Sequence, residues 1–167
     1  TGSSTFGDAF EFTGTNWTPA ANMPAPRERF GFAFDSSANR CGLFGGKDAT
    51  GSPANATWYY NGAQWSVGPS APAGLAPRAL YSNIAYDSAS NVTVLFGGYD
   101  EDGNILGDTW ELSASGWTKK DDLSPVVNRF YPFYAYDSAR GRLVTYGGTT
   151  YQGISDKTWG FDGTTWR

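Results

Sequence analysis

Apolar and polar positions alternate with a period of two in three stretches of the chain: Phe30, Phe32 and Phe34, then Ile84 and Tyr86, then Tyr134 and Tyr136. That period places alternate side chains on one face of an extended segment, so each stretch predicts a β-strand. A turn opened by Asp35, Asp87 or Asp137 follows each strand. Next comes a short apolar run that ends in Gly-Gly: Gly42-Leu43-Phe44, Val94-Leu95-Phe96 and Val144-Thr145-Tyr146. A third strand holds Thr57-Trp58, Thr109-Trp110 or Thr158-Trp159, and a brief fourth holds Trp65, Trp117 or Trp166. The pairs Asn61-Gly62, Ser115-Gly116 and Asp162-Gly163 separate the last two strands. They suit tight hairpins because they tolerate positive φ. No segment has a helical period.

The same landmarks return at a fixed interval. Gly-Gly stands at Gly45-Gly46, Gly97-Gly98 and Gly147-Gly148, offsets of 52 and 50 residues. Each unit has an Ala two residues before the turn Asp (Ala33, Ala85, Ala135) and a second Trp seven residues after the first. The N-terminal stretch carries the tail of an earlier unit, with Phe10 in the first Trp position and Trp17 in the second. All seven Trp residues fall into this register. The chain therefore reads as one all-β segment: a half unit over 5–18, supplying only the last two strands, and full units over 27–67, 78–119 and 128–167. A repeat of about 50 residues with four strands is the pattern of a propeller blade.

The double glycine followed by spaced aromatics resembles the kelch repeat, as in the central domain of galactose oxidase and its relatives, from about Phe6 to Trp166. The resemblance implies a β-propeller segment of about 3.5 kelch-like, four-stranded blades, each an antiparallel meander. Propellers of this kind serve as enzymes, adaptors and adhesins, so the fold does not decide the function. Three and a half blades leave an open arc with apolar faces at both ends. Such an arc is completed by a longer chain, by a partner chain, or by copies associating end to end.

Composition narrows the functions. Net charge is −4 and the isoelectric point about 4.7, which argues against a nucleic-acid surface. No stretch approaches the roughly 18 apolar residues of a membrane helix, so no membrane insertion is expected. The one Cys, Cys41, reads as a small buried residue. There is no His, which rules out zinc, Ser–His–Asp and copper-oxidase chemistry built from this segment alone, and no cofactor is expected. Few lysines against many Thr, Ser, Asn, Gly and Trp fit an extracellular or cell-surface protein.

Strand alternation puts the long loops on one face: Lys47–Asn55, Tyr99–Gly107 and Thr149–Ser155, together with the linkers bearing Pro19, Pro24, Pro26, Pro69, Pro72, Pro77 and Pro125. Function tends to sit on loops held by a rigid scaffold. Arg27, Arg29, Arg78 and Arg129 precede the first strands and read either as a ring that clamps anions or as structural donors to loop carbonyls. Tyr99 and Tyr151 do not repeat, which makes them contact candidates. Asp100, Asp102, Asn104 and Asp108 resemble a run of calcium ligands, although ordinary turn chemistry explains them as well. The expected function is a non-catalytic recognition or assembly module that binds protein or glycan. The alternatives are part of a carbohydrate-active propeller enzyme, mutarotase- or oxidase-like, and a structural subunit of an extracellular polymer.

Overall fold

A computed structural model of the chain describes residues 5–81, 83–120 and 128–167. Pro125, expected in a linker, lies outside them. The described residues form strands and no helix. An N-terminal hairpin pairs β1 (Ala9–Phe12) with β2 (Trp17–Ala20). The first sheet is an antiparallel meander of β3 (Gly31–Asp35), β4 (Arg40–Phe44), β5 (Thr57–Tyr60) and β6 (Trp65–Val67). The second repeats it with β7 (Ile84–Asp87), β8 (Val92–Phe96), β9 (Thr109–Ser113) and β10 (Gly116–Lys120). The third contains β11 (Phe133–Asp137), β12 (Arg142–Tyr146) and β15 (Thr158–Phe161).

The third sheet departs from the expected four strands. Trp166 contributes only a bridge to Phe161, flanked by the two backbone hydrogen bonds that Gly160 and Arg167 exchange. A small hairpin of β13 (Thr149–Thr150) and β14 (Gly153–Ile154) occupies what reads as a loop. Gly153 makes it feasible: its φ of 110° closes the turn, and its carbonyl accepts the Thr150 hydroxyl. Pro19 also lies inside β2 rather than in a linker. An edge strand tolerates it because its outer side needs no N–H.

Local chemistry explains the recurring turns. The Asp35 carboxylate accepts the backbone N–H groups of Ser37 and Ala38, and Asp87 accepts those of Ala89 and Ser90. Each turn closes through a left-handed residue, Asn39, Asn91 or Gly141, the types that adopt it most readily.

The Gly-Gly pairs join each sheet to the next. The first glycine's carbonyl accepts the buried guanidinium of its own unit: Arg27 to Gly45 at 2.9 Å, Arg78 to Gly97 at 3.1 Å and Arg129 to Gly147 at 2.9 Å. The second glycine's N–H reaches the following unit, Gly46 donating to the Arg78 carbonyl at 2.9 Å and Gly98 to the Arg129 carbonyl at 3.1 Å. The repeated Arg thus ties its own sheet by its side chain and the preceding sheet by its backbone. Gly97→Ala puts a methyl 2.5 Å from the Arg129 carbonyl oxygen at a φ of +71°. The expected cost is roughly 2–4 kcal/mol, from left-handed strain and overpacking together. Gly163, also left-handed, has nothing within 4 Å of an added Cβ and serves as the control in denaturant melts.

Packing follows the same order. β3 packs on β7, and β7 on β11 and β12, so the first strands of successive sheets lie together. One core cluster, with Phe44, Leu80, Leu95, Trp110 and Trp117, joins the first and second sheets. Another, with Val94, Phe96, Leu143, Phe161 and Trp166, joins the second and third. Trp110 and Trp117 are buried as the repeat predicts, whereas Trp58 and Trp65 are only half-buried. Trp65 faces the two-stranded N-terminal hairpin instead of a full sheet, donates to the Ala21 carbonyl and packs tilted against Tyr60, and so keeps part of its ring in solvent.

Candidate functional site

The linkers and long loops meet on one face. Lys47, Tyr99 and Thr149, each following a Gly-Gly pair, bridge to Glu28, Ala79 and Phe130, each following a repeated Arg. Next along the linker stand three non-glycine residues in the left-handed region, Arg29 (φ 57°), Tyr81 (φ 54°) and Tyr131 (φ 60°). In the second unit the extra residue Leu80 shifts the position by one. Its side chain is fully buried and its N–H donates to the Arg29 carbonyl at 2.8 Å. Left-handed backbone costs about 1–3 kcal/mol for such side chains and persists only where the surroundings enforce it.

These turns gather their side chains into a single cluster. Tyr81 lies 3.9 Å from Tyr131 and 5.9 Å from Tyr99 between ring centroids, and Tyr99 lies 5.6 Å from Phe130. Arg29 donates to the Tyr99 hydroxyl at 2.8 Å, and its guanidinium carbon stands 5.1 Å from the Tyr81 ring centre. Lys47 Nζ stands 5.3 Å from the Tyr99 ring centre. The exposed Arg29 also pairs with Glu28 at 3.1 Å. Two cations and a phenol therefore share a rim of tyrosines.

The electrostatics separate the two phenols. Burial works against ionisation of Tyr99. The hydrogen bonds from Tyr81 and Arg29 and the charge of Lys47 outweigh it and hold this hydroxyl below the ordinary tyrosine value. Burial and the hydrogen bonds with Tyr131 and Tyr99 push Tyr81 upward. Tyr99 is thus the phenol that ionises first. The Tyr99 hydrogen bond in turn raises the Arg29 guanidinium, which stays charged.

The other expected ligand-binding residues are placed differently. Arg27, Arg78 and Arg129 are buried against glycine carbonyls and do not ring an opening. Burial lowers Arg27 and Arg129 from the ordinary arginine value. Arg78 forms a bidentate pair with Asp108, at 2.6 and 2.9 Å, and Asp108 also accepts the Trp110 indole N–H at 2.6 Å. The calcium reading fails on the same contacts, because the Asp108 oxygens are already engaged. Asp100 closes its own turn on the backbone and side-chain amides of Asn104, and Asp102 is exposed. Among the described residues no three His, Cys, Asp or Glu side chains assemble to hold a metal ion. The Tyr151 ring is exposed, and its hydroxyl accepts the Ile105 N–H at 2.7 Å, which clamps two loops together.

Of the candidates, Arg78 pairs with Asp108 and Asp100 with Asn104 in structural contacts, while Arg29 and Tyr99 meet on the solvent-facing rim, to which the structure adds Lys47, Tyr81 and Tyr131. The signal for the added residues is positional. Lys47 follows Gly-Gly as Tyr99 does, and Tyr81 and Tyr131 follow the repeated Arg as Arg29 does. A separate apolar groove of about 250 Å³ lies between the N-terminal hairpin and the first sheet, lined by Phe6, Phe10, Met23, Phe32 and Trp65. It has Asp8 and the carbonyl-bound Arg27 on its wall but no pair of exposed cations. No protein-family model matches the chain, and no curated protein matches it either.

Proposed function

We propose that the chain is part of a kelch-type β-propeller of about three and a half blades. It works as a non-catalytic recognition module that holds an anionic group, a carboxylate above all, of a protein or glycan on its long-loop face. The Arg29–Tyr99–Lys47 rim carries this reading: a guanidinium offers a planar fork of donors, and aromatic walls accept a sugar ring or an aliphatic stem. Glu28 holds the guanidinium until a ligand carboxylate replaces it. The repeated antiparallel sheets and their Gly-Gly ties support the propeller part, and a secreted or cell-surface location fits the composition.

Titration with a sialylated oligosaccharide, against the same oligosaccharide without its acidic sugar, tests the site. The acidic form binds more tightly, and its affinity falls with salt because exposed charges are screened over about 8–10 Å. Arg29→Ala removes a charge-assisted hydrogen bond worth about 1.5–3 kcal/mol, at least a tenfold loss. Affinity also declines as pH rises through the Tyr99 value, since a phenolate between Arg29 and Lys47 neutralises the cations the ligand needs. Equal binding of the two oligosaccharides, or an Arg29→Ala variant that binds like the parent, overturns the reading. The lowered Tyr99 phenol also suits proton transfer in a carbohydrate-active enzyme. On that second reading Tyr99→Phe keeps ligand affinity and abolishes turnover of an acidic sugar.

A further inference from the structure

We infer that the outer side of the third sheet is a docking surface for the N-terminal hairpin of a second copy of this chain, joined head to tail. The observation is one contact, made twice inside the molecule and left half-made at each end. Trp117 lies over Phe44 at 4.6 Å between centroids and donates its indole N–H to Thr57 Oγ1 at 2.9 Å. Trp166 repeats this on Phe96 at 4.8 Å and on Thr109 Oγ1 at 3.0 Å. Each time a Trp near the outer edge of one sheet seals the preceding sheet. The residues it covers, Phe44, Phe96, Thr57 and Thr109, are at most 2% exposed.

The equivalent receiving residues of the third sheet are Tyr146, 50% exposed, and Thr158, also exposed. The equivalent donor on the hairpin is Trp17, 68% exposed. It packs tilted against Phe12 at 5.3 Å between centroids as Trp166 packs tilted against Phe161 at 5.1 Å, so its ring is already held much as an interior one is. One end of the chain thus carries the receiving half of the contact and the other the donating half. The two halves do not meet within one molecule. The backbone leaves room as well. An added Cβ on Gly45 or Gly97 meets the next unit's Arg carbonyl at 2.7 or 2.5 Å, whereas on Gly147 it meets only Ser155, at 3.5 Å.

The two segments also carry net charge of opposite sign, although Glu11 itself accepts the Tyr60 hydroxyl of its own first sheet. Asp8 and Glu11 are the only charged residues of 5–22, a net −2. Residues 128–167 carry five Arg and Lys against three Asp, a net +2. Two different patches that complement each other across copies make a heterologous interface, which closes into a ring or grows as a chain. The inference does not depend on the ligand rim.

Sedimentation velocity of the 167-residue protein over a range of concentrations tests it. The parent associates as concentration rises. Trp17→Ala and Tyr146→Asp, both at exposed positions and checked by far-UV circular dichroism and melting, are each monomeric alone. An equimolar mixture of the two forms a species of two chains and nothing larger, because only one intact pair of ends remains. Ile154→Ser, at a 93% exposed site outside the contact, associates like the parent. Four outcomes overturn the inference: a parent that stays monomeric, single variants that associate undiminished, a mixture that stays monomeric, or an Ile154→Ser variant that loses association too. A monomeric parent would mean that a different occupant, such as a further repeat, covers the surface.

Discussion

Asp108→Ala destabilises the protein by roughly 3–5 kcal/mol, the cost of leaving a buried guanidinium without its counterion. Arg78 is fully buried, and its two terminal nitrogens meet the two Asp108 oxygens, while Trp110 donates to the same carboxylate. Removing the carboxylate strands a charge and an indole N–H together. In the first and third units the position of Asp108 is held by Ala56 and Lys157, so this pair belongs to the middle sheet alone. Arg78→Met combined with Asp108→Ala recovers much of the loss, because no isolated charge remains. The pH dependence has a definite sign. Burial opposes ionisation of Asp108, but the Arg78 hydrogen bonds and charge prevail and hold its pKa below the ordinary carboxylate value. The folded pKa is depressed, so this stability is fully present above the ordinary carboxylate value and is lost as pH falls through the folded one. Thermal melts from pH 7 downward show the parent losing stability below about pH 4, with a smaller acid loss in Asp108→Ala. A cost under about 1 kcal/mol at neutral pH would mean that solvent replaces the carboxylate and that Arg78 is not sealed.

Trp117→Ala costs roughly 3–5 kcal/mol, as deletions of large buried aromatics do. The ring closes the seam between the first and second sheets against Phe44, and its N–H satisfies the buried Thr57 hydroxyl. Truncation opens a cavity between two sheets and frees a hydroxyl with no route to solvent. Trp117→Phe separates the terms. Most of the packing survives, and the loss of the indole hydrogen bond accounts for about 1 kcal/mol. The contrast is Trp17→Ala, the same repeat position on the exposed hairpin, which changes monomer stability by no more than about 0.5 kcal/mol. Denaturant unfolding of the three variants measures the series. Comparable losses for Trp117→Ala and Trp17→Ala would refute the assignment of this position as a seam residue.

Much of the architecture is written in the chain as repetition. The period of two in Phe30, Phe32 and Phe34 sets a strand, because side chains on an extended backbone must alternate whatever surrounds them. Gly-Gly at offsets of 52 and 50 marks a backbone conformation that side chains resist, and all six glycines have φ between 71° and 99°. Asp35, Asp87 and Asp137 announce turns through bonds to their own neighbours. Each of these signals is local: a few adjacent residues contain the whole physical reason, so sequence suffices to read strands, turns and the order of units.

The candidate site follows a different logic. Arg27, Arg29, Arg78 and Arg129 are the same residue type near the same landmark, yet three are sealed on glycine carbonyls and only Arg29 faces solvent. Whether an arginine is a structural donor or a ligand donor depends on which carbonyl lies within reach, and that carbonyl is 18 or 19 residues away in the chain. Tyr99 meets Arg29 across 70 residues, and Leu80, a single added residue, decides where Tyr81 points its ring. The repeat writes Tyr146 and Trp17 like their buried counterparts, and only the unit count, which leaves apolar faces on the outermost units, sets them apart. The sequence alone sets the all-β alternation, the turn chemistry and the four-strand order of the first two sheets, because those rest on interactions within a few residues, whereas the third sheet lacks its fourth strand. Which copies of a repeated residue are buried, which charges are paired and which aromatics converge on one rim is settled by the fold alone, because burial and pairing depend on neighbours brought from other units.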